Sequence, residues 1–285
     1  MTSTLLDITN KVDSTTSSIL RTVSACARDL EIPALVIGAT ARDLVLHHYY
    51  GAEVSRATRD LDFAVQVPDW AAFEALKSKL LETGFVQSSM EQRLKTSHGG
   101  WIDLVPFGPL SFDGQSIAWP PKGDVVMNVL GFSEAFENAL QVKISDSPAC
   151  EIPVVSPVGL ALLKLVSWTE REPERRPNDA KDLLYLCANY QRIPRVSDAM
   201  YSQEQMMDSY GWVPERGSAN LLGGDVRQIV NTNTHEYLEQ LFHEKISNRP
   251  LKLLIRESCE TGAAAERYEA HEAVLNAFID GYRVP

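Results

Sequence analysis

The chain has 285 residues, a formal net charge of −11 at neutral pH and an apolar content of 44%. This composition is typical of a folded globular protein with room for one large domain or two modest ones. The acidic balance argues against a protein that coats nucleic acid through its overall charge.

Cysteine spacing and hydropathy indicate the cellular setting. Cys26, Cys150, Cys187 and Cys259 are widely scattered and form no C-x-x-C pair, so we expect buried free thiols in a reducing compartment. Residues 1–20 are rich in Ser and Thr and lack the basic and apolar regions of a secretory signal. No apolar run approaches the length of a membrane span. A cytoplasmic protein is therefore expected.

The first predicted elements are a helix and a strand followed by a glycine turn. Apolar residues at helical spacing predict a helix over 14–30, and Pro33 separates it from a strand over 34–37. Gly38 ends that strand, and Thr40 is expected to cap the helix that follows.

An acidic strand and further short elements come next. The strand covers 61–67 and ends at Pro68, and Asp69 is a good N-cap for a helix to about residue 83. The remaining predictions are strands over 85–87, 93–96, 101–106, 140–144 and 151–155, a turn at 98–100, a loop with a hairpin over 107–124 and a helix over 133–139.

The pattern changes to almost continuous helix at Ser156-Pro157, where Pro157 occupies a favoured first-turn position. Helices are predicted over 159–169, 178–190, 225–230, 235–246 and 263–282, with a polar, mixed segment over 192–220. The fold class predicted is α/β (α+β), with a small mixed sheet and flanking helices. The predicted domains are 1–155 for the α/β part and 156–285 for the helical part.

Two carboxylates lie two residues apart on the acidic strand. Side chains at positions i and i+2 of a strand point to the same face, so Asp60 and Asp62 converge. Adjacent acids repel each other unless a cation lies between them, and oxygen ligands suit Mg²⁺ or Mn²⁺. The alternative is that these acids are solvated or pair with Arg56 or Arg59.

A third acid and a glycine turn extend this pattern. Asp103 lies among apolar residues of a later predicted strand, which is costly unless that face opens onto a site. If this strand lies beside the Asp60/Asp62 strand, the three carboxylates can hold two divalent ions about 4 Å apart, as in phosphoryl transfer. Gly38 permits close approach to a phosphate, and the helix start near Thr40 offers free amide groups.

These motifs in this order resemble the DNA-polymerase-β-like nucleotidyltransferase superfamily. The segment over 160–168, then Arg171, then the segment over 179–183, resembles the C-terminal signature of AbiEii-type nucleotidyltransferases. Those proteins occur as the toxin half of bacterial toxin–antitoxin systems. The resemblance covers roughly residues 34–190 and implies a nucleotidyltransferase-type sheet in the first domain.

The resemblance also implies roles for residues of the second domain. A Lys and an Arg on one helix bind the nucleotide in that group, and a downstream acidic motif supports catalysis; the corresponding residues here are Lys164, Arg171 and the pair Asp179/Asp182. Spacing agrees, because positions 164, 168 and 171 share one helical face. On that face Trp168 either lines the base or belongs to the core.

Simpler interpretations of the charged residues remain open. Arg42 either adds charge at the phosphate turn or pairs with Asp43 on the helix surface. Arg171 either contacts phosphate or pairs with Glu174 or Asp179, and the acids at 179 and 182 are alternatively an N-cap and a surface acid.

The leading hypothesis is a Mg²⁺- or Mn²⁺-dependent enzyme that moves an NMP from an NTP to a hydroxyl and releases pyrophosphate. In it Asp60 and Asp62 bind both metals, and Asp103 completes one metal shell and acts as the base or helps the metal to do so. Gly38 and Thr40 cradle the β,γ-phosphates. The acceptor is a tRNA 3′ end, a protein or a small molecule, and a cognate antitoxin is the expected partner.

Two other classes of function are alternatives to this hypothesis. One is a non-catalytic binding or regulatory protein with a degenerate nucleotidyltransferase fold, against which the intact set of three acids argues. The other is an α/β hydrolase or phosphatase, against which the absence of G-x-S-x-G and of metal-spaced histidines argues. For an RNA acceptor, Arg171, Arg175 and Arg176 are expected to supply a local basic patch.

Overall fold

The computed structural model describes residues 5–54, 60–96, 99–120, 123–259 and 265–284. The chain divides into two compact units, Met1–Ser156 and Pro157–Pro285, at the point where the sequence pattern changes from mixed to helical. Arg56 and Arg59, and part of the turn predicted at 98–100, lie outside the described residues.

The first unit alternates between helices and strands. Its elements are β1 (Leu6–Asp7), α1 (Ser14–Asp29), β2 (Ala34–Ile37), α2 (Gly38–Arg42) continuing as a π-helical segment (Asp43–Tyr49), β3 (Asp60–Gln66), α3 (Trp70–Glu82), β4 (Val86–Gln87), β5 (Arg93–Lys95), β6 (Trp101–Phe107), β7 (Ser116–Ala118), β8 (Val126–Asn128), α4 (Phe132–Glu137), β9 (Leu140–Asp146) and β10 (Ala149–Val154).

A mixed eight-stranded sheet forms the framework of this unit, in the order β1-β9-β10-β2-β3-β6-β5-β4. The central strands β3 and β6 run parallel, and β2 and β5 flank them in antiparallel orientation. β7 and β8 form a separate hairpin. β7 lies within the segment 107–124 predicted as loop and hairpin, and β8 lies just beyond it. The mixed α/β class predicted from the sequence is confirmed, and edge strands such as β1 and β4 make the sheet larger than expected.

Side-chain capping explains where helix α3 begins but not where α2 begins. Asp69 precedes α3 and accepts a hydrogen bond from the Ala72 amide at 2.8 Å, as predicted. The predicted Thr40 cap is wrong, because the helix already begins at Gly38, which has a φ of +71°, and Thr40 lies inside it. Ile37 is the capping residue and makes no side-chain capping bond.

The second unit is helical throughout its described residues except for turns. Its elements are α5 (Pro157–Glu170), α6 (Arg176–Asn189), a 3₁₀ turn (Tyr190–Arg192), α7 (Pro194–Ser202), α8 (Glu204–Ser209), α9 (Pro214–Ile229), α10 (Thr232–Phe242), α11 (Leu251–Ser258) and α12 (Ala265–Arg283). None of the helices that can be described has the length and apolarity needed to cross a membrane.

The segment predicted as polar and mixed over 192–220 is instead helical. Pro194 and Pro214 occupy the first turns of α7 and α9, where proline is well tolerated because its missing N–H has no intrahelical partner there. The predicted helix over 225–230 is therefore only the last part of the 16-residue helix α9.

All four cysteines are free thiols. Cys26 and Cys187 are buried, whereas Cys150 and Cys259 are of intermediate exposure, so burial is only partly as expected.

Two glycines allow helices α9 and α12 to pack with their backbones in close contact. A Cβ atom placed on Gly223 would lie 2.0 Å from the carbonyl oxygen of Phe278. A Cβ atom on Gly281 would lie 1.9 Å from the carbonyl oxygen of Asn220. Neither backbone carbonyl can turn away without moving its helix, so these glycines set the separation of the two helices.

We expect Gly223→Ala to lower the free energy of unfolding by about 1–3 kcal/mol, because the added methyl group overpacks the helix contact. Gly224→Ala is the matched control, since its Cβ would meet its nearest atom, the Gly281 oxygen, at 3.6 Å. That control should be neutral or stabilising by up to about 1 kcal/mol, from helix propensity alone. Urea denaturation measures both, and equal effects would contradict the close-packing interpretation.

Candidate active site

Sheet register brings the predicted acids together in the first unit. On the parallel pair β3 and β6, Asp62 lies directly opposite Asp103, and Asp60 lies opposite Trp101. Residues in register on adjacent strands share a face, and Asp60 shares that face because it is two residues from Asp62. The strand that carries Asp103 is thus the direct neighbour of the strand that carries the other two acids.

The face that carries the acids is open to solvent, whereas the opposite face is core. The side chains of Asp60 and Asp103 are 43% and 20% exposed. Their neighbours Leu61, Ile102 and Leu104 are almost completely buried. This alternation places carboxylates in an accessible position without burying an isolated charge.

The glycine turn lies against the second acid. Ile37 is in register with Asp62, and a Cβ atom on Gly38 would lie only 2.1 Å from Asp62 Oδ2. The Thr40 hydroxyl donates to the backbone carbonyl of Asp60 at 3.3 Å, and its residue is 7% exposed. The turn therefore contacts both residues of the acidic pair, and glycine is required where the carboxylate packs on the backbone.

Arg93 is a cation in this site that sequence reasoning missed. It lies opposite Asp103 on β5, and its Nε and Nη2 donate to the two Asp103 oxygens at 2.7 and 2.5 Å. The Nη2 atom is also 3.6 Å from Asp60 Oδ2. The hydrogen bonds with Asp103 raise the pKa of the Arg93 guanidinium, so the group remains charged. The available signal was the alternation Arg93-Leu94-Lys95, which puts two cations on one face.

Arg42 lies inside the fold rather than at the phosphate turn's surface. Its residue is 1% exposed, and its guanidinium pairs with Asp43 at 2.8 Å. Of the two interpretations left open by the sequence, the ion pair is the one observed, in a buried setting rather than on the helix surface.

The oxygen ligands on this face suit a divalent ion, and Arg93 already contacts one of the three carboxylates. Asp60 and Asp62 offer only oxygen ligands on one open face, which is the chemistry Mg²⁺ and Mn²⁺ require. Across the described part of the chain, no three His, Cys, Asp or Glu side chains are grouped as a metal site. Asp103 is directly opposite Asp62, but Arg93 takes both of its oxygens.

The predicted nucleotide-binding residues of the second unit form one ionic cluster. Lys164 Nζ on α5 lies 2.8 Å from Asp179 Oδ1 and 2.8 Å from Asp182 Oδ2 on α6. Arg171 Nε lies 3.1 Å from Asp179 Oδ2 and donates to Ser167 Oγ at 2.9 Å. The spacing inferred from the sequence therefore brings these four charged residues into contact.

Most of this ionic cluster is buried. The side chains of Asp179 and Asp182 are 0% and 1% exposed, so their interpretation as an N-cap and a surface acid is wrong. Burial alone lowers the pKa of Lys164, but the charges of the two carboxylates outweigh burial and raise it. The charged Lys164 therefore stabilises the folded protein fully at a pH below the pKa of free lysine, about 10.4. This contribution is lost as the pH rises from there through the raised pKa of Lys164 in the folded protein.

Burial decides one alternative left open for this unit and corrects one prediction. Trp168 is fully buried, and its Nε1 donates to Glu257 Oε2 at 2.7 Å, so it belongs to the core and not to a base-stacking surface. Arg176 is 7% exposed and pairs with the same glutamate at 2.8 Å. The basic patch expected from Arg171, Arg175 and Arg176 thus lacks its third member.

Residues 22–270 match the family model described as nucleotidyl transferase AbiEii toxin of the type IV toxin–antitoxin system. No curated protein matches the chain significantly by sequence.

Several solved nucleotidyltransferase structures show a remote likeness. ANT(2″)-Ia in complex with adenylyl-2″-tobramycin is 14% identical, covers 61% of this chain and 88% of its own, and has a TM-score of 0.36. An antigenic nucleotidyltransferase-like protein from Paracoccidioides brasiliensis is 15% identical, with coverage of 68% and 90% and a TM-score of 0.38. The Thermotoga maritima CCA-adding enzyme in complex with tRNA is 12% identical, with coverage of 96% and 82% and a TM-score of 0.26.

We expect Lys164→Met to lower the free energy of unfolding by about 3–5 kcal/mol, because it removes the cation that two buried carboxylates share. Lys181→Met is the matched control, since this lysine lies on α6 beside the same cluster but is only half-buried. Urea denaturation at neutral pH compares the two. A Lys164→Met effect no larger than the control would show that the buried ion pairs contribute little.

Proposed function

This chain belongs to the nucleotidyl transferase AbiEii toxin family, and we propose that it moves a nucleoside monophosphate from an NTP to a hydroxyl acceptor with release of pyrophosphate. The observation that carries the proposal is the register of β3 and β6, which sets Asp62 opposite Asp103 with Asp60 on the same face, beside the Gly38 turn. Three carboxylates at a glycine turn are the groups that metal-assisted phosphoryl transfer needs.

In this proposal Asp60 and Asp62 hold Mg²⁺ or Mn²⁺, and Asp103 completes the set and accepts the proton of the acceptor hydroxyl. A divalent ion held by these residues would supply charge that lowers the pKa of an attacking hydroxyl and neutralises a leaving pyrophosphate. Gly38 keeps the Asp62 carboxylate against the turn, since any side chain at that position would displace it.

The helical segment that begins at Gly38 is proposed to bind the β,γ-phosphates. Its capping residue Ile37 supplies no side-chain acceptor, so the first amide groups remain without a side-chain cap. Thr40 acts here by holding the Asp60 carbonyl, and the buried ion pair of Arg42 with Asp43 fixes the helix from within.

Within the second unit, Arg171 is the member of the ionic cluster best suited to a phosphate. Its side chain is 45% exposed, whereas Lys164 is almost fully buried between two carboxylates. We assign Arg171 to phosphate binding and Lys164 to positioning, because Lys164 holds Asp179 and Asp179 in turn holds the Arg171 guanidinium. Asp182 completes the charge balance around the lysine.

The acceptor and partner follow from the family and the charge. A net charge of −11 disfavours a large nucleic-acid footprint, so we propose a small contact area on a tRNA end, a protein or a small molecule. Membership of a toxin family indicates a cognate antitoxin as partner, and we propose a cytoplasmic location for both.

The decisive experiment incubates the protein with each α-labelled NTP, Mg²⁺ or Mn²⁺ and, separately, total RNA, total protein and a panel of aminoglycosides. Asp60→Asn and Asp62→Asn should lower label transfer at least about 100-fold, because even residues that only orient a metal ligand are worth 10- to 100-fold. Glu151→Gln, an exposed carboxylate on β10 of the same sheet, should transfer like the wild type.

The outcome separates the proposal from its alternative. Label transfer abolished by EDTA and by both Asn variants supports a metal-dependent enzyme and identifies the acceptor class. Metal-independent NTP binding without transfer to any acceptor would instead favour a non-catalytic binding protein of this fold.

We expect Gly38→Ala to abolish transfer through displacement of Asp62 rather than through unfolding. Gly51→Ala is the matched control, since Gly51 has a similar φ of +73° but nothing within 4 Å of its Cβ position. Both variants bear the cost of a left-handed alanine, about 1–2 kcal/mol, so both should unfold at similar urea concentrations. Only Gly38→Ala should lose transfer, and equal activity of the two variants would contradict the role given to the turn.

A further inference from the structure

We propose that Arg93 is a positioning residue that occupies Asp103 in the metal-free protein and gives it up when a divalent ion binds. The inference rests on the proposed metal site at Asp60, Asp62 and Asp103. It assigns a specific function to the one cation that sheet register places opposite Asp103. The consequence is that Arg93 sets the affinity of the site for its metal.

The contact between Arg93 and Asp103 uses the whole carboxylate. Nε and Nη2 of the guanidinium reach Oδ1 and Oδ2 at 2.7 and 2.5 Å, which is the two-pronged geometry that makes arginine–carboxylate pairs strong. The 3.6 Å contact to Asp60 Oδ2 extends the same guanidinium to a second acid. Arg93 thus neutralises two of the three carboxylates from one position.

Electrostatics require a cation on this face in the absence of metal. Asp60, Asp62 and Asp103 would otherwise repel each other at close range, and such repulsion is relieved either by protonation or by a counter-ion. Arg93 is that counter-ion in this structure. A divalent ion that uses Asp103 would place a second positive charge within a few ångströms of the guanidinium, so the two cations compete for the same oxygens.

The same face offers the guanidinium a second contact. Arg93 Cζ lies 5.7 Å from the ring centroid of Trp101, and Lys95 Nζ lies 6.0 Å from the same ring. A cation over an aromatic face is stabilised by the ring's electrons. Arg93 can therefore release Asp103 and remain against Trp101, without leaving the sheet.

Isothermal calorimetry with Mn²⁺ tests the inference directly, on the full chain without nucleotide. Arg93→Gln should bind Mn²⁺ at least tenfold more tightly than the wild type, because the competitor is removed. Lys95→Gln is the control, since it removes an equal charge from the same strand and the same aromatic ring but from a side chain placed opposite Trp101 and not opposite Asp103. It should change the affinity by less than threefold. Arg93→Lys, which keeps the charge but not the two-pronged contact, should lie between the two.

A double variant separates competition for Asp103 from a general charge effect. In Arg93→Gln/Asp103→Asn the gain in Mn²⁺ affinity should vanish, because the carboxylate that was freed is no longer present. Urea denaturation gives a second readout: without metal Arg93→Gln should be less stable than Lys95→Gln, and saturating Mn²⁺ should remove that difference.

The outcomes distinguish this inference from the function on which it rests. Equal affinity gains in Arg93→Gln and Lys95→Gln, or a gain that survives in the double variant, would overturn the inference and leave the metal site intact. No Mn²⁺ binding by the wild type or by any variant would overturn both. Tight binding by Arg93→Gln together with no label transfer by the wild type would support the inference and contradict the proposed activity.

Discussion

Repulsion among three carboxylates is the constraint around which the first unit is arranged. Parallel pairing of β3 and β6 sets Asp62 opposite Asp103, and the pleat adds Asp60 to the same face. A counter-ion relieves such repulsion, and the antiparallel strand β5 supplies Arg93 in register with Asp103. The buried apolar residues on the reverse of the same strands hold that register, because a slip of one residue would bury the acids.

The glycine turn follows from the same constraint. Asp62 is in register with Ile37, the last residue of β2, so its carboxylate lies against Gly38, the next residue of the chain. A residue with a Cβ at position 38 would collide with Asp62 Oδ2, and the φ of +71° there is also unfavourable for any other residue. The glycine is thus needed for the carboxylate as much as for any phosphate, a reason that the motif alone does not indicate.

Much of this arrangement was predictable because strong local signals mark it. Gly38, Pro68 and Asp69 delimit β2, β3 and α3 nearly to the residue. The sequence analysis could only assume that β3 pairs with β6, because a sequence pattern predicts strands but not which strands are neighbours in the sheet. Arg93 was missed because its role depends on register with Asp103. Helix α9 was shortened because its first turn holds Pro214 and its interior holds glycines, of which Gly223 packs closely against α12.

In both units a cation from a neighbouring element pairs with carboxylates. The two clusters differ in how far their side chains are exposed to water. Removing Lys164 from Asp179 and Asp182 would take away the cation shared by two carboxylates that have almost no access to water. Arg93 and Asp103 are each about one-fifth exposed, so an incoming ion or water can replace either partner as it leaves. A buried cluster of this kind fixes one geometry, whereas a partly exposed cluster permits an ion or water to replace one partner of its ion pair. On the proposed function, we therefore assign the metal-assisted chemistry to the acids of the sheet and assign the lysine cluster to positioning Arg171.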